Sequence, residues 1–223
     1  MQVVQLYSCL DKITYIEWAL DSEYILCGLY KRPMIQAWSL TQPDWTCKID
    51  EGPAGITYAR WSPDSRHILT TSEFQLRLTV WSLLNTACIH VQWPKHGSKG
   101  VSFTKDGKFA AVCTRRDCKD YVNLLSCHTW EIISVFAVDT LDLADIQWSP
   151  DDSAIVIWDS SLEYKVFYCI ILCHQHHIFR ILTLLPGEIT LSTIIAFMLY
   201  DLYTCMISLM GKFHVFFLCK FRI

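Results

Sequence analysis

Arg60-Trp61-Ser62-Pro63-Asp64-Ser65-Arg66-His67-Ile68-Leu69 decides how the rest of the chain is read. It is a strand end, a tight turn and the start of a second strand. Pro63 presets φ for the first corner of a type I turn, and Asp64 and Ser65 suit the remainder. The phrase recurs. Ile16-Glu17-Trp18-Ala19-Leu20-Asp21-Ser22 precedes it; Val101-Ser102-Phe103-Thr104-Lys105-Asp106-Gly107 and Ile146-Gln147-Trp148-Ser149-Pro150-Asp151-Asp152 follow. Trp18, Trp61, Phe103 and Trp148 stand 43, 42 and 45 residues apart, and a second marker, Trp38 and Trp81, keeps a 43-residue interval. A period of about 40–45 residues with this turn predicts an all-β array of propeller blades.

Working outward, the predicted units are about 8–50, 51–93, 94–137 and 138–168. Met1–Tyr7 reads as a lone strand. Ile13–Trp18, Tyr24–Leu29, Met34–Trp38 and Trp45–Ile49 make the first unit; Ile56–Trp61, Arg66–Thr71, Gln75–Trp81 and Thr86–Gln92 the second. The third runs Lys99–Thr104, Lys108–Thr114, Tyr121–Ser126 and Trp130–Phe136. The fourth offers three strands, Leu143–Trp148, Ser153–Trp158 and Glu163–Tyr168. Tyr24–Leu29 is apolar on both faces, as a strand covered on both sides must be. After Tyr168 the run Cys169–Cys173 stays apolar and the period is lost.

Composition divides at the same place. Residues 1–165 carry 15 Lys+Arg against 20 Asp+Glu, whereas residues 166–223 carry four against two. The net charge of −3 and pI near 6.2 offer no basic field for nucleic acid. Met1-Gln2-Val3-Val4-Gln5 has no charged n-region and no apolar h-region, so no secretory leader is expected. Eleven cysteines scattered among strand residues read as reduced, small hydrophobes in a cytosolic protein.

Trp61-Ser62-Pro63-Asp64 followed by Thr79-Val80-Trp81-Ser82 resembles the WD-repeat family over about residues 1–168. The Gly-His pair that often opens such a repeat is absent, and Trp-Ser stands where Trp-Asp is usual. Leu6-Tyr7-Ser8-Cys9-Leu10-Asp11, Cys47-Lys48-Ile49-Asp50-Glu51-Gly52 and Arg115-Arg116-Asp117-Cys118-Lys119-Asp120-Tyr121 resemble centrosomal members of that family. The resemblance implies four-stranded propeller blades and a non-enzymatic adapter at centrosomes, spindle poles and ciliary bases. Such an adapter anchors microtubule minus ends with a coiled-coil protein partner, in the cytoplasm and on the cytoskeleton. It implies no cofactor.

The connections between the second and third strands of successive units are expected on the propeller face that docks partners. Lys31 and Arg32, Glu73 and Phe74, and Arg115, Arg116 and Lys119 occupy them, and Phe74 adds the apolar component of a binding hot spot. The competing reading is a set of solvated turns. The recurring tryptophans read as core packing; exposed aromatics interleaved with Arg and Lys, as nucleic-acid stacking needs, are missing. No phosphate-binding Gly loop, His-Glu metal helix or Gly-x-Ser-x-Gly elbow occurs, so no catalytic residue is expected.

Cys113 and Cys118, beside Arg115, Arg116 and Lys119, read as structural rather than reactive thiols. Cys169, Cys173, His174, His176 and His177 have zinc-ligand chemistry but no second ligand pair at finger spacing; a metalloprotein built on them is the enzyme-class alternative. Residues 169–223 form a non-repeat tail. Ile189–Met210 is long enough to span a membrane, with Asp201 as its one charge and Lys212, Lys220 and Arg222 after it. The alternatives are therefore a membrane-tethered adapter, or a truncated or alternative product ending in sequence without a selected fold.

Overall fold

The computed structural model describes residues 5–29, 33–85, 87–160, 166–172 and 177–184. Their regular structure is strand, with two short 3-10 turns and no α-helix. The first sheet holds β1 (Ile13–Trp18), β2 (Tyr24–Leu29), β3 (Met34–Ser39) and β4 (Thr46–Asp50). The second holds β5 (Tyr58–Trp61), β6 (His67–Thr71), β7 (Arg77–Ser82) and β8 (Cys88–Gln92). The third is β9 (Val101–Phe103), β10 (Phe109–Arg116), β11 (Lys119–Ser126) and β12 (Ile132–Val138). The fourth is β13 (Leu143–Trp148), β14 (Ala154–Asp159), β15 (Val166–Leu172) and β16 (His177–Leu184). Each is a meander in chain order, and the strand pairs with a described register are antiparallel.

The repeated phrase forms the same turn four times. Ser22, Ser65, Gly107 and Asp152 donate their N–H to Ala19, Ser62, Thr104 and Ser149 carbonyls at 2.9, 3.1, 3.0 and 3.0 Å. All four donors have left-handed φ, between 57° and 71°, so a type I turn is closed by a left-handed residue that returns the chain to the sheet twist. Each preceding aspartate caps its own turn: Asp21, Asp64, Asp106 and Asp151 accept from the N–H two residues on. Ser62, Thr104 and Ser149 also accept, through the hydroxyl, from the N–H five residues on. Ala19 has no hydroxyl to do this.

The turns also join neighbouring sheets. Asp21 donates its N–H to Ser65 Oγ at 3.1 Å, and Lys105 donates its N–H to Asp152 Oδ1 at 2.7 Å. Between the second and third sheets the contact is apolar: a Cβ on Gly107 would lie 3.0 Å from Pro63 Cβ, so glycine is favoured here for space, at a φ that serine and aspartate adopt in the other three turns.

The core lies between successive sheets rather than within one. Leu26, Ile35, Ala37 and Ile49 of the first pack with Ala59, Trp61 and Ile68 of the second. Leu69, Leu78, Val80 and Val91 meet Ala110, Val112 and Leu125 of the third, and Ala111, Val122 and Leu124 meet Ile146, Ile155 and Ile157 of the fourth. Trp61 and Trp148 are buried and reach back to the preceding sheet: Trp61 Nε1 donates to the Glu17 carbonyl at 3.3 Å, and Trp148 N donates to Ser102 Oγ at 3.1 Å. Trp18 has no preceding sheet among the described residues and is 52% exposed, unlike its counterparts.

Two expectations are corrected. Residues 5–7 form no strand; Tyr7 instead lies 5.5 Å from the Trp38 ring, its hydroxyl donating to the Ser39 carbonyl, and Leu10 N donates to Gln36 Oε1. This segment meets side chains of β3 instead of pairing along an edge. The fourth sheet also does not stop at residue 168. β15 runs to Leu172, pairing Val156 with Tyr168 and Ala154 with Ile170, and β16 completes four strands. Backbone pairing needs no turn motif, so the strands outlast the repeat phrase. The tail from residue 185, with the 189–210 stretch, lies outside the described residues; among those described, no helix is long and apolar enough to cross a membrane.

The turns predict an acid response. Burial alone would raise the Asp64 carboxyl, but hydrogen bonds with His67, the Ser62 hydroxyl and the Arg66 N–H outweigh it and hold the group at about 2. Asp106 is held at about 2 by the Lys108 side chain and N–H and by Thr104. A depressed carboxyl stabilises fully above its ordinary value of 3.8 and loses that contribution as pH falls through about 2. The melting temperature should therefore fall between pH 4 and pH 2. In Asp64→Asn it should start lower at pH 7 and fall less steeply in that window; an unchanged slope would refute the assignment.

Candidate interaction face

In a four-stranded meander, alternate connections fall at opposite ends. The repeated turns take one end. The second-to-third-strand loops and the links between sheets take the other, so the loops singled out in the sequence share an end. Lys31 and Arg32 lie outside the described residues.

Glu73–Gln75 is a single 3-10 turn closed at its base by Ser72, whose N–H donates to the Arg77 carbonyl and whose hydroxyl accepts from Arg77 N, both at 3.0 Å. Within it Phe74 (φ 57°) and Gln75 (φ 50°) are left-handed without being glycine, a conformation that costs on the order of 1–3 kcal/mol each. Phe74 is held out at 83% exposure. The Glu73 carboxyl group packs over Gly55, where a Cβ would fall 2.9 Å from Glu73 Cδ, tying this loop to the link from the first sheet.

Hydrogen bonds link the Phe74 loop to further exposed apolar residues at the same end. Leu76 follows it in the loop, and its carbonyl accepts from Trp93 N at 3.1 Å; the Trp93 carbonyl accepts from Arg115 N at 2.9 Å. Arg115 Nη2 donates to the Leu141 carbonyl at 3.3 Å. Leu76, Trp93 and Leu141 are 44%, 48% and 63% exposed, and Trp93 is again left-handed (φ 58°). These exposed apolar residues thus form a row of linked segments at the loop end, from the second sheet, by way of Arg115 on the third, to the entry of the fourth.

Beneath the row lies a buried ionic hub. Asp120, 1% exposed, accepts at Oδ2 from Lys95 Nζ (2.9 Å), Thr140 Oγ1 (2.8 Å) and Leu143 N (2.9 Å). Lys95 also reaches Asp142 Oδ1 at 2.9 Å, and this contact holds the Asp142 carboxyl below its ordinary range. The buried Glu51 carboxylate takes the Thr70 hydroxyl at 2.8 Å and the Arg77 guanidinium at 2.9 and 2.6 Å.

The candidate residues divide accordingly. Arg115 is half-engaged inside the molecule, 3.4 Å from Asp142 and 3.7 Å from Asp120. Arg116 lies with its guanidinium 5.4 Å over the Tyr121 ring and stays largely exposed, as does Lys119. Asp117 and Cys118 form the two-residue connection between these cations, both left-handed. Cys113 is buried on β10, which pushes its thiol up strongly, while Cys118 is exposed; they do not form a working pair. Leu76, Trp93 and Leu141 were not among the sequence candidates. Trp93-Pro94 falls off the tryptophan beat, and that is the signal that could have found it.

A cleft lined by Tyr58, Arg60, Leu69, Thr71, Leu78 and Val101 has a volume of about 10 Å³, room for about one water and not for a substrate. Among the described residues no three metal-ligating side chains converge; the Cys169, Cys173, His174, His176 and His177 side chains lie outside them.

Successive four-stranded sheets, stacked through their faces and marked by Trp or Phe at a 42–45-residue interval, are propeller architecture, and the chain belongs to the WD-repeat family. Over 166 residues, 74% of its length, the chain is 50% identical to the WD repeat-containing protein WRAP73 of Mus musculus. The match takes in 36% of that relative, so the chain spans about a third of its length. No protein-family model matches the chain. Among solved structures it is similar to the periplasmic gluconolactonase PpgL of Pseudomonas aeruginosa (TM-score 0.54, 13% identity, 77% of this chain and 53% of that one). It is also similar to a putative 6-phosphogluconolactonase of Bacteroides fragilis (TM-score 0.54, 10% identity, 75% and 52%). At these identities the likeness is one of fold alone.

Proposed function

We propose that the chain is a non-enzymatic WD-repeat scaffold that binds protein partners through the loop end of its sheets. The observation that carries this is the set Phe74, Leu76, Trp93 and Leu141: four large apolar side chains exposed at one end of the sheets, on segments linked by hydrogen bonds to Trp93 and Arg115. Large aromatics flanked by arginine are what binding hot spots are made of. Phe74 is presented by strained backbone, which persists only where its surroundings enforce it.

The finer reading is a centrosomal adapter that helps anchor microtubules at spindle poles and ciliary bases with a coiled-coil partner. It is supported by the three stretches that resemble centrosomal WD-repeat proteins. The test is localisation of the tagged chain in dividing cells. Wild type should concentrate at centrosomes, and Phe74→Ser/Arg116→Glu should lose at least five-fold of that enrichment with strand content unchanged by circular dichroism. A diffuse wild type would overturn the centrosomal reading; a double variant retained like wild type would overturn the loop face as its docking surface.

A further inference from the structure

We propose that Cys88 is a reactive surface thiol, primed by His90, that exchanges with low-molecular-weight disulfides to form a reversible mixed disulfide. The site is independent of the loop face. Cys88 and His90 stand two residues apart on β8, on the same side of the strand. Cys88 Sγ lies 3.8 Å from His90 Nε2, within hydrogen-bond reach for sulfur, and His90 Nδ1 lies 3.1 Å from Thr79 Oγ1 on the paired strand β7.

The second contact orients the imidazole. Thr79 is fully buried and its hydroxyl faces the Glu51 carboxylate. Burial would raise that carboxyl, but hydrogen bonds with Thr79, Thr70 and Arg77 outweigh it and hold the group below its ordinary value. Thr79 Oγ1 faces Nδ1 and Cys88 Sγ faces Nε2, so an Nδ1–H donated to Thr79 leaves Nε2 free to take the thiol proton. Nucleophile, base and orienting group stand in line: Cys88, His90, Thr79. The charged groups behind Thr79 are Glu51 and Arg77, themselves paired at 2.6 Å.

Five of the six other cysteines with described side chains differ, and the sixth, Cys9, is half-buried. Burial raises the Cys27 thiol to about 11 and that of Cys127 to about 12, and pushes up Cys47 and Cys113 as well. Cys118 is exposed like Cys88 but sits in a tight connection, and no imidazole contact is seen for it among the described residues.

In the exchange, His90 Nε2 takes the thiol proton and the thiolate attacks one sulfur of the incoming disulfide. The Cys88–S–S–R bond forms as the R–S–S–R bond breaks, and the leaving thiolate recovers the proton from the imidazolium. No oxidant beyond the disulfide is consumed. Because β8 is the outermost strand of its sheet, the adduct is added to an open sheet edge.

The test is incubation of the folded chain with glutathione disulfide, followed by peptide mass mapping, together with iodoacetamide alkylation rates for each cysteine from pH 5.5 to 8.5. Cys88 should react at least ten-fold faster than Cys118 at pH 7. His90→Gln, an exposed change, should slow Cys88 about ten-fold at pH 7 and alter the shape of its rate profile across the pH series; Thr79→Val should slow it less. A Cys88 no faster than Cys118, or one indifferent to His90→Gln in a protein of unchanged circular dichroism, overturns the proposal.

Discussion

Asp120→Ala is expected to destabilise the fold by about 3–5 kcal/mol, measured as a drop in the urea midpoint with little change in slope. The carboxylate is the shared acceptor for Lys95, Thr140 and Leu143 N, and it is 1% exposed. Its loss leaves an ammonium whose side chain is 5% exposed with only the exposed Asp142 to face, and a buried backbone N–H with no acceptor. Both penalties are desolvation costs of groups left behind, so they exceed what the pair contributes when intact. Adding Lys95→Met to Asp120→Ala removes the stranded charge and should recover about 1–3 kcal/mol by double-mutant cycle. Strict additivity of the two changes would show that the hub is not a unit.

Trp61→Ala is expected to cost about 3–5 kcal/mol and to loosen the first sheet selectively. Trp61 is 5% exposed, lies 6.0 Å from the Tyr24 ring and donates from Nε1 to the Glu17 carbonyl. It is the largest side chain joining the first two sheets in their shared core. Hydrogen exchange should therefore accelerate in residues 13–29 while residues 109–126, whose core is built with the second and fourth sheets, keep their protection. Trp61→Phe keeps most of the packing and loses the indole hydrogen bond, so it should cost only about 1 kcal/mol beyond the reduced volume. Uniform loss of protection would mean that the sheets open together.

The tryptophan beat and the Pro-Asp-Ser turn made the architecture legible because both are local: period, turn chemistry and strand ends lie within a few residues of each other. The left-handed turn position was visible as such only at Gly107. Ser22, Ser65 and Asp152 adopt it too, paid for by the aspartate caps and hydrogen bonds around them. The fourth strand of the last sheet was not legible, since the run stays apolar from Tyr168 to Cys173 and no Gly, Pro, Asn or Asp marks the link before β16. Within the proposed interaction face, Phe74 and Arg116 were legible as candidates because they occupy equivalent loops. Trp93 and Leu141 were missed because the links between sheets also arrive at that end, a fact of topology rather than of motif. Asp120 read as part of a charged loop, yet its partners Lys95 and Leu143 lie more than 20 residues away on either side. Pairings of that kind leave no pattern in a single chain.

The joints between turns are not alike, although the phrase that builds them is. A serine hydroxyl receives the first, a proline ring against bare backbone makes the second, and an aspartate receives the third. Each unit is keyed to the neighbour it has, so modules exchanged or deleted whole would meet the wrong lock: moving the third unit beside the first would offer hydrogen where an oxygen is required. Engineering by shuffling would have to carry each tip together with its receptor.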